Sequence, residues 1–175
     1  CGALAPRSAS GVLGGHMSKV AGAVAIGLLV SVLSGRTFAG EHHHEHKPPH
    51  NGTLIVFGEE VAHLELVLDA KEGTLTGYVL DGEAERFVRI KQKEIELRVR
   101  LAETKDELFP VKLKAVASVL TGETEGDTSQ FEGKLEQLKG AKRFAGVVAA
   151  VAVRGKEFKD VAFKFPEGNE EAENH

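Results

Sequence analysis

Cysteine is almost absent from this chain. The one thiol is Cys1, and it lies ahead of an apolar run that reads as a cleavable leader. A mature chain beginning at Gly40 then holds no disulfide and no cysteine nucleophile, so its fold must rest on a hydrophobic core. Long segments of 3.6-residue periodicity are also missing, which argues against an α/β architecture. Gly-x-Ser-x-Gly, P-loop and His-Glu-x-x-His patterns are lacking, which leaves an enzyme without named residues. Basic charge is scarce too. Removing Cys1–Ala39 takes away Arg7, Lys19 and Arg36 and no acid, leaving 19 basic against 26 acidic residues, a balance of −7. That balance argues against a nucleic-acid partner, since phosphate binding needs a basic face.

The front of the chain carries an address. Met17-Ser-Lys19 precedes the apolar Val20–Leu33, and Arg36-Thr-Phe-Ala39 offers a small residue for signal peptidase before Gly40. The run falls short of the roughly 20 residues a membrane span requires. Residues 1–16 read as an upstream remnant outside the fold and residues 17–39 as a signal peptide. The expected location is periplasmic or secreted. Membrane contact would come only through an uncleaved signal segment.

From Val61 to Gly82 the pattern is that of a β-hairpin. Leu64, Leu66 and Leu68 alternate with His63, Glu65, Val67 and Asp69, placing leucines on one face and mainly polar groups on the other. Asp69-Ala-Lys-Glu-Gly73 is a turn, and Asp81-Gly82 closes the second run. Thr53–Phe57 makes a strand before this hairpin, and Phe87–Ile90 a short one after it. Ile95, Leu97, Val99 and Leu101 alternate with Glu96, Arg98 and Arg100, and Val111, Leu113 and Ala115 with Lys112 and Lys114. Gln130–Leu135 is a further strand, and Glu136–Lys139 a single helical turn. Ala145–Val153, apolar on both faces, predicts a central strand covered twice. Arg154-Gly-Lys156 is a tight turn before a last strand containing Val161, Phe163 and Phe165. Eight or nine short strands at this spacing predict an all-β fold, a single antiparallel β-sandwich of immunoglobulin-like or fibronectin-like type over residues 51–166. Residues 167–175 read as a frayed acidic tail.

One cluster has ligand chemistry. His42, His43, His44, His46 and His50 crowd a proline-containing lead-in, residues 40–50, that reads as a flexible arm. Neutral imidazole is the commonest nitrogen ligand for zinc, copper, nickel and cobalt, and a flexible peptide can fold several around one ion. His63 can join such a site if the arm folds back, though the polar face of its strand makes it a surface residue. Glu123, Glu125 and Asp127 alternate in a Gly-containing loop, but lack the fuller ligand series of a calcium loop and read as solvated.

Taken together, Pro49-His-Asn-Gly52, Ala62–Asp69, Gly73–Gly82, Val111–Val116, Glu125–Glu132 and Val153–Lys156 resemble a bacterial secreted His-rich β-sandwich module. It is similar to the N-terminal module of periplasmic adaptor (membrane fusion) subunits of heavy-metal efflux pumps. The resemblance covers most of Pro49–Phe165 and implies a periplasmic module near metal export, with His50 and His63 at the family's histidine positions. The usual His-Gly-Gly is His50-Asn51-Gly52 here. The helical hairpin of a full adaptor is not in this stretch, so the resemblance implies an accessory rather than a bridge. The expected function is non-enzymatic capture of a divalent transition metal (Zn, Cu, Ni or Co), with envelope or efflux-pump proteins as partners. The competing expectation is a structural or protein-interaction module of the cell envelope whose His arm is only a linker.

Overall fold

The computed structural model describes residues 46–104 and 107–169. Eight antiparallel strands run as β1 (Thr53–Phe57), β2 (Ala62–Asp69), β3 (Thr74–Leu80), β4 (Glu94–Leu101), β5 (Phe109–Ala115), β6 (Gln130–Lys134), β7 (Phe144–Val153) and β8 (Lys156–Phe165). The fold is all-β and antiparallel, as the alternating patterns predict. All eight strands share one hydrogen-bonded sheet in the order β1-β2-β3-β6-β5-β4-β7-β8.

The two edges of that sheet approach each other. The Phe57 ring of β1 stacks on Phe158 of β8 with centroids 5.5 Å apart. Beyond β8, the Asn169 amide accepts a hydrogen bond from Val56 N (2.7 Å) and donates one to Val56 O (3.1 Å). Thr53 Oγ1 donates to the Pro166 carbonyl at 3.1 Å. These contacts occupy polar groups on the edge of β1 that would otherwise invite another strand. Glu167–Asn169, expected to fray, take part in this closure instead, and the rest of the expected tail, residues 170–175, lies outside the described residues.

Inside the curve lie Ile55, Leu64, Leu66, Leu75, Val79, Ile95, Leu97, Val99, Leu113, Phe131, Val148 and Val151, all buried. Each contributes roughly 1.5–3 kcal/mol by leaving water. Gly77 on β3 lets this core close, since a Cβ there would stand 3.2 Å from both Leu64 and Leu113 side chains.

The turns follow the sequence closely. Gly73 takes φ 70° and donates to Asp69 O at 2.8 Å. Arg154 and Gly155 both hold positive φ, 51° and 76°, which suits a two-residue hairpin. The helical turn is a single 3-10 turn at Glu136–Leu138.

Two strand expectations need correction. Phe87–Ile90 forms no strand and only two isolated bridges, Leu80 with Phe87 and Ile90 with Thr128. β7 is not covered on both faces. Phe144, Gly146 and Val148 point inward, and then the inward positions shift to Val151 and Val153. The register skips Ala149 and Asp160, and Asp160 has φ 51°, so β8 shifts phase at the same point. A strand buried on one side but changing phase midway reads in sequence as apolar throughout.

Candidate metal centre

The outer face of β2 is where the structure departs furthest from the expected polar surface. His63 and Glu65 point away from the leucine core, yet both are fully buried. Their cover is the foot of the His-rich arm, residues 46–52, laid along the strand. Gly52 makes the close approach possible, since a Cβ there would fall 2.6 Å from the Leu66 carbonyl oxygen. Asn51 beside it has φ 54°. Asparagine tolerates this left-handed backbone better than other residues with a Cβ.

Glu65 anchors the foot. Its Oε1 accepts hydrogen bonds from His50 N (2.7 Å) and Gly52 N (2.9 Å), and its Oε2 lies 2.9 Å from His50 Nδ1. The His50 ring stacks on Tyr78 of β3 at a centroid distance of 3.9 Å and an angle of 14°. Burial, and then the Glu65 and Glu132 carboxylates, push the Tyr78 phenol above its ordinary value. Residues 46–50 are thus docked rather than free, contrary to the flexible-arm expectation. His50 is engaged as a fastener, its Nδ1 and one ring face both in use.

Four residues upstream, His46 meets His63. Their ring centroids are 5.0 Å apart with planes at 62°. The His46 side chain keeps only 6% of its accessible surface, and its Nε2 stands 3.6 Å from Glu60 Oε1, beyond hydrogen-bond length. His63 Nδ1 lies 2.9 Å from the Asp81 carbonyl oxygen. A carbonyl only accepts, so Nδ1 is the nitrogen that donates here, and Nε2 is the nitrogen left over for another partner. Among the described residues, neither buried Nε2 atom has a hydrogen-bond partner. Leaving a buried polar atom unpaired costs about 1–3 kcal/mol, so such a pair needs an explanation.

The loops around the pair are closely set. Gly58 and Glu60 both hold positive φ, 65° and 52°, in the β1–β2 connection. Gly82 packs against that connection so tightly that a Cβ would lie 2.2 Å from the Glu60 carbonyl oxygen. Asp81, whose carbonyl orients His63, is itself fixed by accepting from Glu85 N (3.0 Å) and Arg86 N (3.1 Å). Burial alone would raise its carboxyl, but these N–H groups and the Arg86 charge hold it below the usual carboxylate range.

Of the six expected ligands, His46 and His63 are therefore brought together, while His50 is turned to Glu65 and Tyr78. His42, His43 and His44, like the signal segment, lie outside the described residues. Among the described residues, no three His, Cys, Asp or Glu side chains already stand in ligand geometry. Sequence reasoning missed Glu60, and missed Glu65 as the anchor.

The solvated reading of the acidic loop holds for Glu125 and Asp127, which are exposed, but not for Glu123. Glu123 is buried, accepting from Ser129 N (3.0 Å), Ser129 Oγ (2.6 Å) and Thr121 Oγ1 (2.8 Å). Burial would raise its carboxyl, but those hydrogen bonds and nearby Arg89 hold it below its ordinary value. Asp127 pairs with Arg89, which also reaches Glu123, and Glu125 pairs with Lys93, so each of the three carboxylates already has a cationic neighbour.

Comparison with family models, with curated proteins and with solved structures finds no match to this chain.

Proposed function

We propose that this protein is a non-enzymatic periplasmic or secreted module that captures a divalent transition metal through its His-rich arm, as an accessory to heavy-metal efflux. The observation that carries the reading is the pair of buried Nε2 atoms on His46 and His63, which have no hydrogen-bond partner among the described residues. Imidazole nitrogen with a free lone pair is the group that zinc, nickel, cobalt and copper select. The arm contributes His46, and the neighbouring His42, His43 and His44 extend the supply of imidazole. The resemblance to the adaptor modules supports the location and the link to export.

The test is isothermal titration of Zn²⁺, Ni²⁺, Co²⁺ and Cu²⁺ into the full chain. It is compared with a variant carrying Ser in place of His42, His43, His44 and His46. Saturable binding lost in the variant supports the reading; equal uptake by both proteins overturns it.

A second reading, an interaction module of the envelope, draws on one observation. Val119 and Leu120, in the turn bridged by Ser118 and Glu123, are essentially fully exposed. Pull-down of an envelope protein that is lost on replacing both with Ser, and kept on replacing the arm histidines, would favour that reading.

A further inference from the structure

Resting on the metal-capture reading, we propose that His46, His63 and Glu60 form a two-imidazole, one-carboxylate seat for a zinc-class divalent ion. Of the arm histidines only His46 belongs to this seat; His42, His43, His44 and His50 are not needed for it.

Two distances accommodate it once the side chains turn toward a common ion. Imidazoles sharing one ion at tetrahedral angle, with bonds of ~2.0–2.1 Å, put their ring centroids about 5 Å apart. The His46 and His63 centroids are 5.0 Å apart. The edge of the same tetrahedron is roughly 3.3 Å. His46 Nε2 and Glu60 Oε1 are 3.6 Å apart, so a small side-chain rotation brings both to an ion.

The surroundings are those of a ligand set rather than of a polar accident. The Asp81 carbonyl holds the His63 proton on Nδ1, which leaves Nε2 as the ligating atom, the usual outer support of a metal-bound histidine. Glu60 keeps 38% of its side-chain surface and gives the ion an entry from solvent. His46 is held in reach by the Glu65 clamp on His50 and Gly52. Two nitrogens and one carboxylate oxygen suit Zn²⁺, Co²⁺ or Ni²⁺. The set is too nitrogen-rich for Ca²⁺ or Mg²⁺ and lacks the sulfur that favours Cu⁺. A fourth position remains for water or a delivered ligand.

The experiment is Co²⁺ titration of the full chain, reading the visible d–d absorption that reports a four-coordinate site, with Zn²⁺ competition. Four variants are compared: Glu60→Gln, His46→Asn, His63→Gln, and a triple His42→Ser/His43→Ser/His44→Ser. The expected result is one strong site in the parent chain, weakened at least roughly tenfold by Glu60→Gln and His46→Asn. The triple variant should keep its affinity. Glu60 is a solvent-reaching loop residue, so its variant stays informative even if His63→Gln fails to fold. Binding that survives Glu60→Gln and His46→Asn but vanishes in the triple variant overturns the seat and leaves capture by the arm standing. No saturable binding by the parent chain overturns both.

Discussion

His50 and Glu65, fifteen residues apart, are joined twice: backbone N to Oε1 at 2.7 Å and ring Nδ1 to Oε2 at 2.9 Å. This carboxylate makes the foot of the arm part of the fold and buries a face of β2 that would otherwise be wet. Replacing Glu65 with Ala leaves the His50 and Gly52 amides without their acceptor. We expect a loss of about 2–3 kcal/mol, read as a lower urea midpoint. Proteolysis between His46 and Gly52 should become faster in the same variant.

Gly146 lies beneath the Phe163 ring across the β7–β8 pair, where a Cβ would stand 2.5 Å from Cζ. Phe163 is buried and meets Phe144 edge-on at 6.2 Å, so it has little room to retreat. Gly146→Ala should cost about 1–3 kcal/mol by overpacking. Adding Phe163→Leu should recover part of that loss in a double-mutant cycle; strictly additive effects would show that the ring is not the obstacle.

Glu123 gives a pH signature. Its carboxyl is held below the ordinary glutamate value in the folded protein. The charged form therefore adds stability that is complete above the usual glutamate range and disappears as pH falls through the lowered value. Glu123→Gln should destabilise the protein at neutral pH, and the gap in Tm between the two proteins should close as pH drops below about 4. A gap that stays constant down to about pH 3 would contradict the assignment.

Asn169→Ala removes the amide that serves both Val56 N and Val56 O. A loss of about 1–2 kcal/mol is expected, with faster hydrogen exchange at the Val56 amide. The uncovered edge should also raise the tendency to self-associate, visible in size-exclusion chromatography at high concentration.

The strands are legible in sequence where one face is wet. In β4, Ile95, Leu97, Val99 and Leu101 announce themselves because their neighbours on the outer face are charged. Turns are legible where the backbone demands it, as at Gly73 and Arg154-Gly155. Alternation tells which residues share a face, but not what a distant segment later lays over it. His63 and Glu65 read as solvent-facing because their cover arrives from residues 46–52, and no periodicity encodes that docking. Glu123 is hidden for the same reason: its acceptors are satisfied by Ser129 and Thr121 in the folded loop. The apolar run of β7 misleads in the other direction, since a phase shift at Ala149 imitates a strand buried on both sides.

The clasp on Val56 reaches across 113 positions of sequence. While the chain is being made, the first hairpin must wait with one flank unguarded until Asn169 has been delivered. Assembly of this sheet is then gated by its final residues, and nascent chains halted short of them should be the species a holding chaperone captures.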